Sequence, residues 1–282
     1  MPLDVDALLR RVGLAERPPA TVEGLRTLHR AFVASVPYED LAIQLGETGP
    51  LEVGVVARRL LHGGRGGYCF ELNGVLATLL EAVGLQVWRH EAVVGARGER
   101  GVTPTNHLAL VVEAEGRRWL AEAGLGEGWL DPLELVEGRE HGRGGLWWDV
   151  AREADGGWWV GQHPWGSTAG VSVGPDAVGL GAFAPHHERL SCSADSSFVR
   201  TLVVQRPQDD RVVTLRARTL GAKGPAVDER RVLVDVDDLA ATLRDAFGID
   251  PAALGPARLG RLWDAACAQH EAWLAEQQAP AA

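Results

Sequence analysis

The apolar positions of this chain change period once, near residue 85, and the change divides its reading. Before that point the spacing is helical. Residues 4–12 and 21–36 put apolar side chains at three- and four-residue intervals, in the second stretch at Leu25, Leu28, Phe32, Val33 and Val36. Thr21 is suited to cap that helix and Pro37 to stop it. Residues 53–62 predict a third helix. A fourth starts near Phe70, carries Leu72, Val75, Leu76, Leu79, Leu80 and Val83 at helical spacing, and meets its stop at Gly84. Beyond it the period falls to two. Segments 86–95, 107–113 and 117–123 read as strands, and the glycine- and tryptophan-rich stretch to about 183 as further strands with long turns. Phe198–Gln205, Arg211–Thr219 and Arg230–Val236 read as three more, and helices at 237–247 and about 258–276 close the chain.

Composition narrows what such a chain can do. At 282 residues it can bury a substantial core divided among two or three subdomains. A formal net charge of −10 argues against nucleic acid and anionic membrane surfaces as primary partners. The start, Met1-Pro2-Leu3-Asp4-Val5-Asp6, lacks the basic and apolar regions of a signal peptide, and no apolar run reaches membrane-spanning length. The three cysteines, Cys69, Cys192 and Cys267, are far apart and odd in number, which excludes a disulfide framework and a zinc-type spacing. A reducing cytoplasm is the expected setting. The nine histidines, His163 and His186-His187 among them, lack the ligand spacing a metal site needs, so no metal is expected. Trp147-Trp148 and Trp158-Trp159 read mainly as packing residues.

One cysteine stands apart. Arg65-Gly66-Gly67-Tyr68-Cys69-Phe70-Glu71-Leu72-Asn73 sets Cys69 between a Gly-Gly loop and the start of the fourth helix. Free backbone N–H groups and the positive end of the helix dipole favour a thiolate there. A thiolate nucleophile also needs a base, and the base an orienting partner. The segment 107–123 offers both. If a two-residue turn falls at Glu115-Gly116, Ala114 pairs with Arg117, His107 faces Gly124 and Glu122 faces Ala109. His107 and Glu122 then become diagonal neighbours on one side of a hairpin. A register slip of one residue would put them on opposite faces.

These residues also carry a resemblance. Val36-Pro37-Tyr38-Glu39-Asp40-Leu41 is similar to I-P-F-E-N-L, the cysteine nonapeptide to R-G-G-Y-C-F-E-Q-N, and Leu120-Ala121-Glu122-Ala123-Gly124-Leu125-Gly126 to V-D-V-G-F-G. With the strand opened by His107 and the stretch Ser193–Val199, the order and spacing over nearly the whole chain resemble the prokaryotic arylamine N-acetyltransferase family. The resemblance implies an α+β fold with a papain- or transglutaminase-like core. Its parts would be a helical bundle over 1–85, a β-barrel over 86–196 and an α/β lid over 197–282. It implies Cys69 as nucleophile, His107 as base and Glu122 as orienting carboxylate, with the Cys69 backbone N–H in the oxyanion site. Tyr38, Phe70 and Leu125 would line the substrate pocket. The implied reaction is ping-pong transfer of acetyl from acetyl-CoA, without a metal, to an arylamine or arylhydrazine. Glu122 departs from the family's aspartate, Leu125 from its phenylalanine, and Tyr38 and Asp40 from its Phe and Asn. Two alternatives accompany that reading: an amide synthase releasing a polyketide chain from a carrier protein with the same triad, and a non-catalytic acyl-CoA-binding relative.

Overall fold

A computed structural model describes residues 3–62 and 64–278. Its first part comprises α1 (Val5–Arg11), α2 (Val22–Ser35), the two-residue strand β1 (Tyr38–Glu39), the short α3 (Leu41–Gln44), α4 (Val53–Leu61) and α5 (Cys69–Ala82). Thr21 caps α2 as its sequence suggested, its hydroxyl accepting the Gly24 N–H at 3.2 Å. Helix α5 is the centre of this part. Its Leu72, Val75, Leu76, Leu79 and Leu80 are wholly buried, so it is apolar nearly all round, as a helix enclosed by others must be. It ends as predicted at Gly84, where Leu85 N–H returns to the Leu80 carbonyl at 3.1 Å.

The second part is one antiparallel sheet of eight strands, curled into a barrel-like form: β2 (Gln86–Val94), β3 (His107–Ala114), β4 (Arg117–Ala121), β5 (Leu133–Glu134), β6 (Gly138–His141), β7 (Trp147–Arg152), β8 (Trp158–Gln162) and β9 (Gly170–Val178), in the order β5-β4-β3-β2-β9-β8-β7-β6. The β3–β4 hairpin has the predicted turn. Glu115 and Gly116 take φ of 52° and 71°, the pattern of a two-residue turn that matches strand twist. Ala114 pairs with Arg117 and Leu110 with Ala121. One face of β3, Leu108, Leu110 and Val112, packs into the helical core; the other, Ala109 and Val111, joins Trp129, Trp148 and Val160 inside the sheet.

The last part departs most from the sequence reading. Residues 184–192 form α6 (Ala184–Cys192), and Phe198 begins no strand but lies in α7 (Ser197–Arg200). The Ser196 hydroxyl accepts the Phe198 N–H at 3.2 Å, and that cap turns the segment helical. Phe183, Leu190, Phe198 and Val199 pack with the helical core rather than with the barrel. Four strands follow where three were expected, β10 (Val203–Pro207), β11 (Val212–Arg216), β12 (Thr219–Gly224) and β13 (Val227–Val232). With β1 they form a second sheet, ordered β1-β10-β11-β12-β13. Its back is covered by α8 (Val236–Phe247), α9 (Pro251–Leu254) and α10 (Pro256–Gln278), through Leu215, Leu233, Leu239, Leu243, Phe247 and Leu262. No helix among the described residues is long and apolar enough to cross a membrane.

Candidate active site

Cys69 is the first residue of α5, and the loop before it is clamped from both sides. The Arg59 guanidinium donates to the Gly66 carbonyl at 2.9 Å and to Glu71 Oε2 at 2.6 Å. Glu71 Oε2 also accepts the Tyr68 N–H at 3.2 Å, so the helix begins where the loop is held. A side chain at Gly66 would strike the Pro37 carbonyl, its Cβ only 1.7 Å from the oxygen. The Tyr68 hydroxyl donates to His187 Nδ1, because His187 Nε2–H is donated to the Gly49 carbonyl at 2.8 Å. His187 thus tethers α6 to the loop before Cys69.

The hairpin brings His107 and Glu122 together as its register demanded. Nε2 of His107 lies 2.8 Å from Glu122 Oε2, and both residues are about 1% exposed. The other carboxylate oxygen, Oε1, accepts Asn73 Nδ2–H at 2.7 Å and the Gly124 N–H at 2.6 Å. Glu122 follows the last paired residue of β4, so its longer side chain is accommodated beyond the ladder. Cys69 Sγ faces the Asn106 carbonyl at 3.6 Å, next to His107. Gly124 closes over the helix start, and a Cβ there would sit 2.6 Å from Cys69 Cα.

Two residues that the sequence reading passed over complete the network. Asn73, one turn after Cys69, donates to the Leu108 carbonyl at 2.6 Å, while its own oxygen accepts the N–H groups of Ala123 and Gly124 at 2.8 and 3.1 Å. One side chain thereby ties α5, β3 and the loop after β4. His29 on α2 accepts the Glu122 N–H on Nε2 at 2.8 Å and donates Nδ1–H to the Leu130 carbonyl at 2.9 Å. Those two bonds fix its tautomer, and burial lowers its pKa, so it remains neutral. The signal for both was a polar residue at an apolar position of a helix.

Opposing influences act on the Cys69 thiol. Burial pushes the Cys69 thiol well up, and the charge of Glu122 adds to it; the Phe70 N–H at the helix start opposes them and is outweighed. Ionisation requires that the proton pass to a neighbouring base.

The three residues expected to line a pocket differ in their surroundings. Tyr38 lies against Gly126 and within the electrostatic reach of Cys69. Phe70 has no exposed surface and packs on Phe183. Leu125 belongs to the barrel core with Trp129. A separate concavity of about 440 Å³ lies among α2, the 128–133 loop and the 140–146 loop, and none of Cys69, His107 and Glu122 lines it. No group of three or more His, Cys, Asp or Glu side chains suited to a metal occurs among the described residues.

Fold and geometry define a class: an α+β chain in which a helix-borne cysteine faces the strand end that carries a histidine–carboxylate pair. A family model described as N-acetyltransferase matches residues 21–253, and the chain belongs to that family. It is similar to the arylamine N-acetyltransferase / N-hydroxyarylamine O-acetyltransferase of Salmonella typhimurium, at 37% identity over 106 residues, 38% of each chain. The alignment thus spans well under two thirds of that curated relative. Solved structures match over more of the length. The Mycobacterium abscessus arylamine N-acetyltransferase superposes with a TM-score of 0.84 at 25% identity, covering 94% of this chain and 95% of the other. The Mycobacterium smegmatis N-arylamine acetyltransferase gives 0.81 at 25% identity, covering 93% and 99%.

Proposed function

We propose that this chain transfers an acetyl group from a CoA thioester to the nitrogen of an arylamine or arylhydrazine through an acyl-cysteine. The observation that carries the reading is the 2.8 Å bond from His107 Nε2 to Glu122. With Nε2–H committed to the carboxylate, Nδ1 is the ring nitrogen left to take a proton. Burial works against a lone thiolate at Cys69, so the nitrogen that takes its proton governs the sulfur's charge.

The Cys69 proton passes to His107, and Glu122 stabilises the imidazolium formed. Sulfur attacks the thioester carbonyl. Its oxygen, now anionic, meets backbone N–H groups of the first turn of α5, which have no acceptor within the helix. The bond from carbon to the CoA sulfur breaks, and the leaving thiolate takes the proton from His107. In the second half an amine, neutral at pH 7, attacks the acyl-cysteine. His107 accepts the amine proton and returns it to the departing Cys69 thiolate. Because one thioester replaces another, the first half is nearly balanced.

Mass spectrometry of the intact protein after mixing with acetyl-CoA tests the reading. An acetyl adduct is expected on the wild type and none on Cys69→Ala; an adduct that persists on the variant overturns the assignment of the nucleophile.

A further inference from the structure

The curled eight-stranded sheet has two ends. His107 and Glu122 stand at one, at the start of β3 and just past the end of β4. Val111 lies four residues further along β3 and Arg118 four residues back along β4, about 13 Å away by strand rise. A concavity of about 190 Å³ opens at that far end. Trp88, Val111 and Trp158 bring the apolar core of the sheet to its wall. Arg118 of β4 and Arg152 of β7 both line it, although five places separate those strands in the sheet; the curl brings them to one mouth.

Each arginine is held against a tryptophan. The Arg118 guanidinium carbon lies 5.8 Å from the centre of the Trp88 ring, and that of Arg152 lies 4.0 Å from the centre of Trp158. Arg152 Nη1 donates to the Gly156 carbonyl at 2.8 Å, and neither guanidinium meets a carboxylate among the described residues. No Asp or Glu lines the concavity. Glu153 and Asp155, close to Arg152 in the chain, are taken by Arg100. Glu113, opposite Arg118 in the ladder, and Asp176 of β9 pair with neither arginine. His90 also lines the mouth and gives its Nδ1–H to the Gly174 carbonyl at 2.9 Å. Burial lowers its pKa and the Arg118 charge adds to that, so the ring is neutral and the positive charge there is that of the two arginines.

Two cations without a counter-charge and two indole rings in one recess suit a ligand that is both anionic and flat. The guanidinium fork matches a carboxylate, and stacking on indole fixes each fork before a ligand arrives. An aryl ring fits walls of tryptophan, valine and Pro175. Drug-sized molecules fill roughly 300–1,000 Å³, so this recess takes a single ring and its carboxylate. We propose that the far mouth of the eight-stranded sheet binds a small aromatic carboxylate of benzoate size, at a site separate from the cysteine. Ala92, Ala109 and Leu120, all fully buried, lie between the two ends, so the occupant is not the amine that receives the acyl group.

Isothermal titration calorimetry with benzoate tests the site on the whole chain. The wild type should show a benzoate site that Arg118→Gln/Arg152→Gln weakens at least about tenfold, as the loss of charge-assisted hydrogen bonds implies. Each single variant should fall between, and either one carries the comparison if the double variant does not fold. Cyclohexanecarboxylate, which is not flat, and inorganic phosphate, which has no apolar body, should each bind the wild type about tenfold more weakly than benzoate. Acetyl transfer by the variants should be unchanged, which also shows that they fold. Equal benzoate affinity in the wild type and the double variant, or no binding to the wild type up to about 10 mM, overturns the proposal. Phosphate held as tightly as benzoate would reveal a plain anion patch and overturns it as well.

Discussion

Replacing Glu122 by glutamine keeps the shape of the side chain, removes its charge and forces a choice between two hydrogen-bond arrangements. One carboxylate oxygen accepts Asn73 Nδ2–H and the Gly124 N–H, and the other accepts His107 Nε2–H. A glutamine that leaves its oxygen with the two N–H groups must point its amide hydrogens at Nε2. His107 then carries its proton on Nδ1, the nitrogen that should accept from Cys69. The reversed amide keeps the tautomer but sets hydrogens against two donors, at about 1–3 kcal/mol for each group left unsatisfied. The first orientation is therefore adopted, and catalysis bears the loss. A wrong tautomer of this kind lowers kcat by about 10⁴ in a serine-protease triad. Coulomb's law gives a similar figure: opposite charges in contact at an effective dielectric constant near 20 attract by about 4–6 kcal/mol. At 1.36 kcal/mol per decade that amounts to about three to four decades of rate. Thiol titration of released CoA measures turnover, and a melting curve shows that the variant folds. A folded Glu122→Gln enzyme within tenfold of wild-type turnover refutes the reasoning.

Three further substitutions probe the surroundings. Glu122→Asp shortens the reach by one methylene, so His107 and the Asn73–Gly124 pair can no longer both be satisfied; turnover should fall about 10- to 100-fold. Full activity would show that the β4 end shifts freely. Burial raises the Asp40 pKa well above its usual value, and its Oδ2 has no partner among the described residues. The folded state thus holds this proton while the unfolded chain releases it near pH 4, so wild-type stability falls as pH rises from there toward the folded value and then levels. Asp40→Asn should be more stable at pH 7 by about 1–3 kcal/mol, with a smaller advantage at pH 4; a gap constant with pH in melting experiments would contradict this. His29→Phe leaves the Glu122 N–H and the Leu130 carbonyl unpaired and should cost about 2–5 kcal/mol in denaturant unfolding. Because burial lowers the His29 pKa, the wild type also loses stability as pH falls below about 6.5, and the phenylalanine variant should lack that component.

What could be read from the sequence was local in origin. The turn at Glu115-Gly116 set a register, and the register alone joined His107 to Glu122 across fifteen residues. Helix α5 was visible because its core residues repeat with its own period. Strand β12, Thr219–Gly224, was hidden because Gly221, Ala222, Lys223 and Gly224 are poor strand formers. The two residues of β1 are too few to show a period, and only their partner Val204-Gln205, far along the chain, makes them a strand. His29 and Asn73 escaped for a related reason. Each is polar at a core position, and its use appears only when a distant loop supplies the backbone groups it binds. Sulfur chemistry meets the same limit, since the helix start is written in the sequence and the depth of burial is not.

The pairing of β1 with β10 also sets an order of assembly. Tyr38 lies opposite Gln205, and Asp40 Oδ1 accepts the Val203 N–H, a bond closed across 163 residues. During synthesis the helices and the first hairpin can form while the second sheet is still inside the ribosome, but the edge offered by Tyr38 and Glu39 must wait for β10. Such distant closure is the slow kind of contact in folding. Until it is made, the segment between α2 and the Cys69 loop holds an unpaired strand edge. Chain completion, rather than local helix formation, is then the event that closes the cysteine's surroundings.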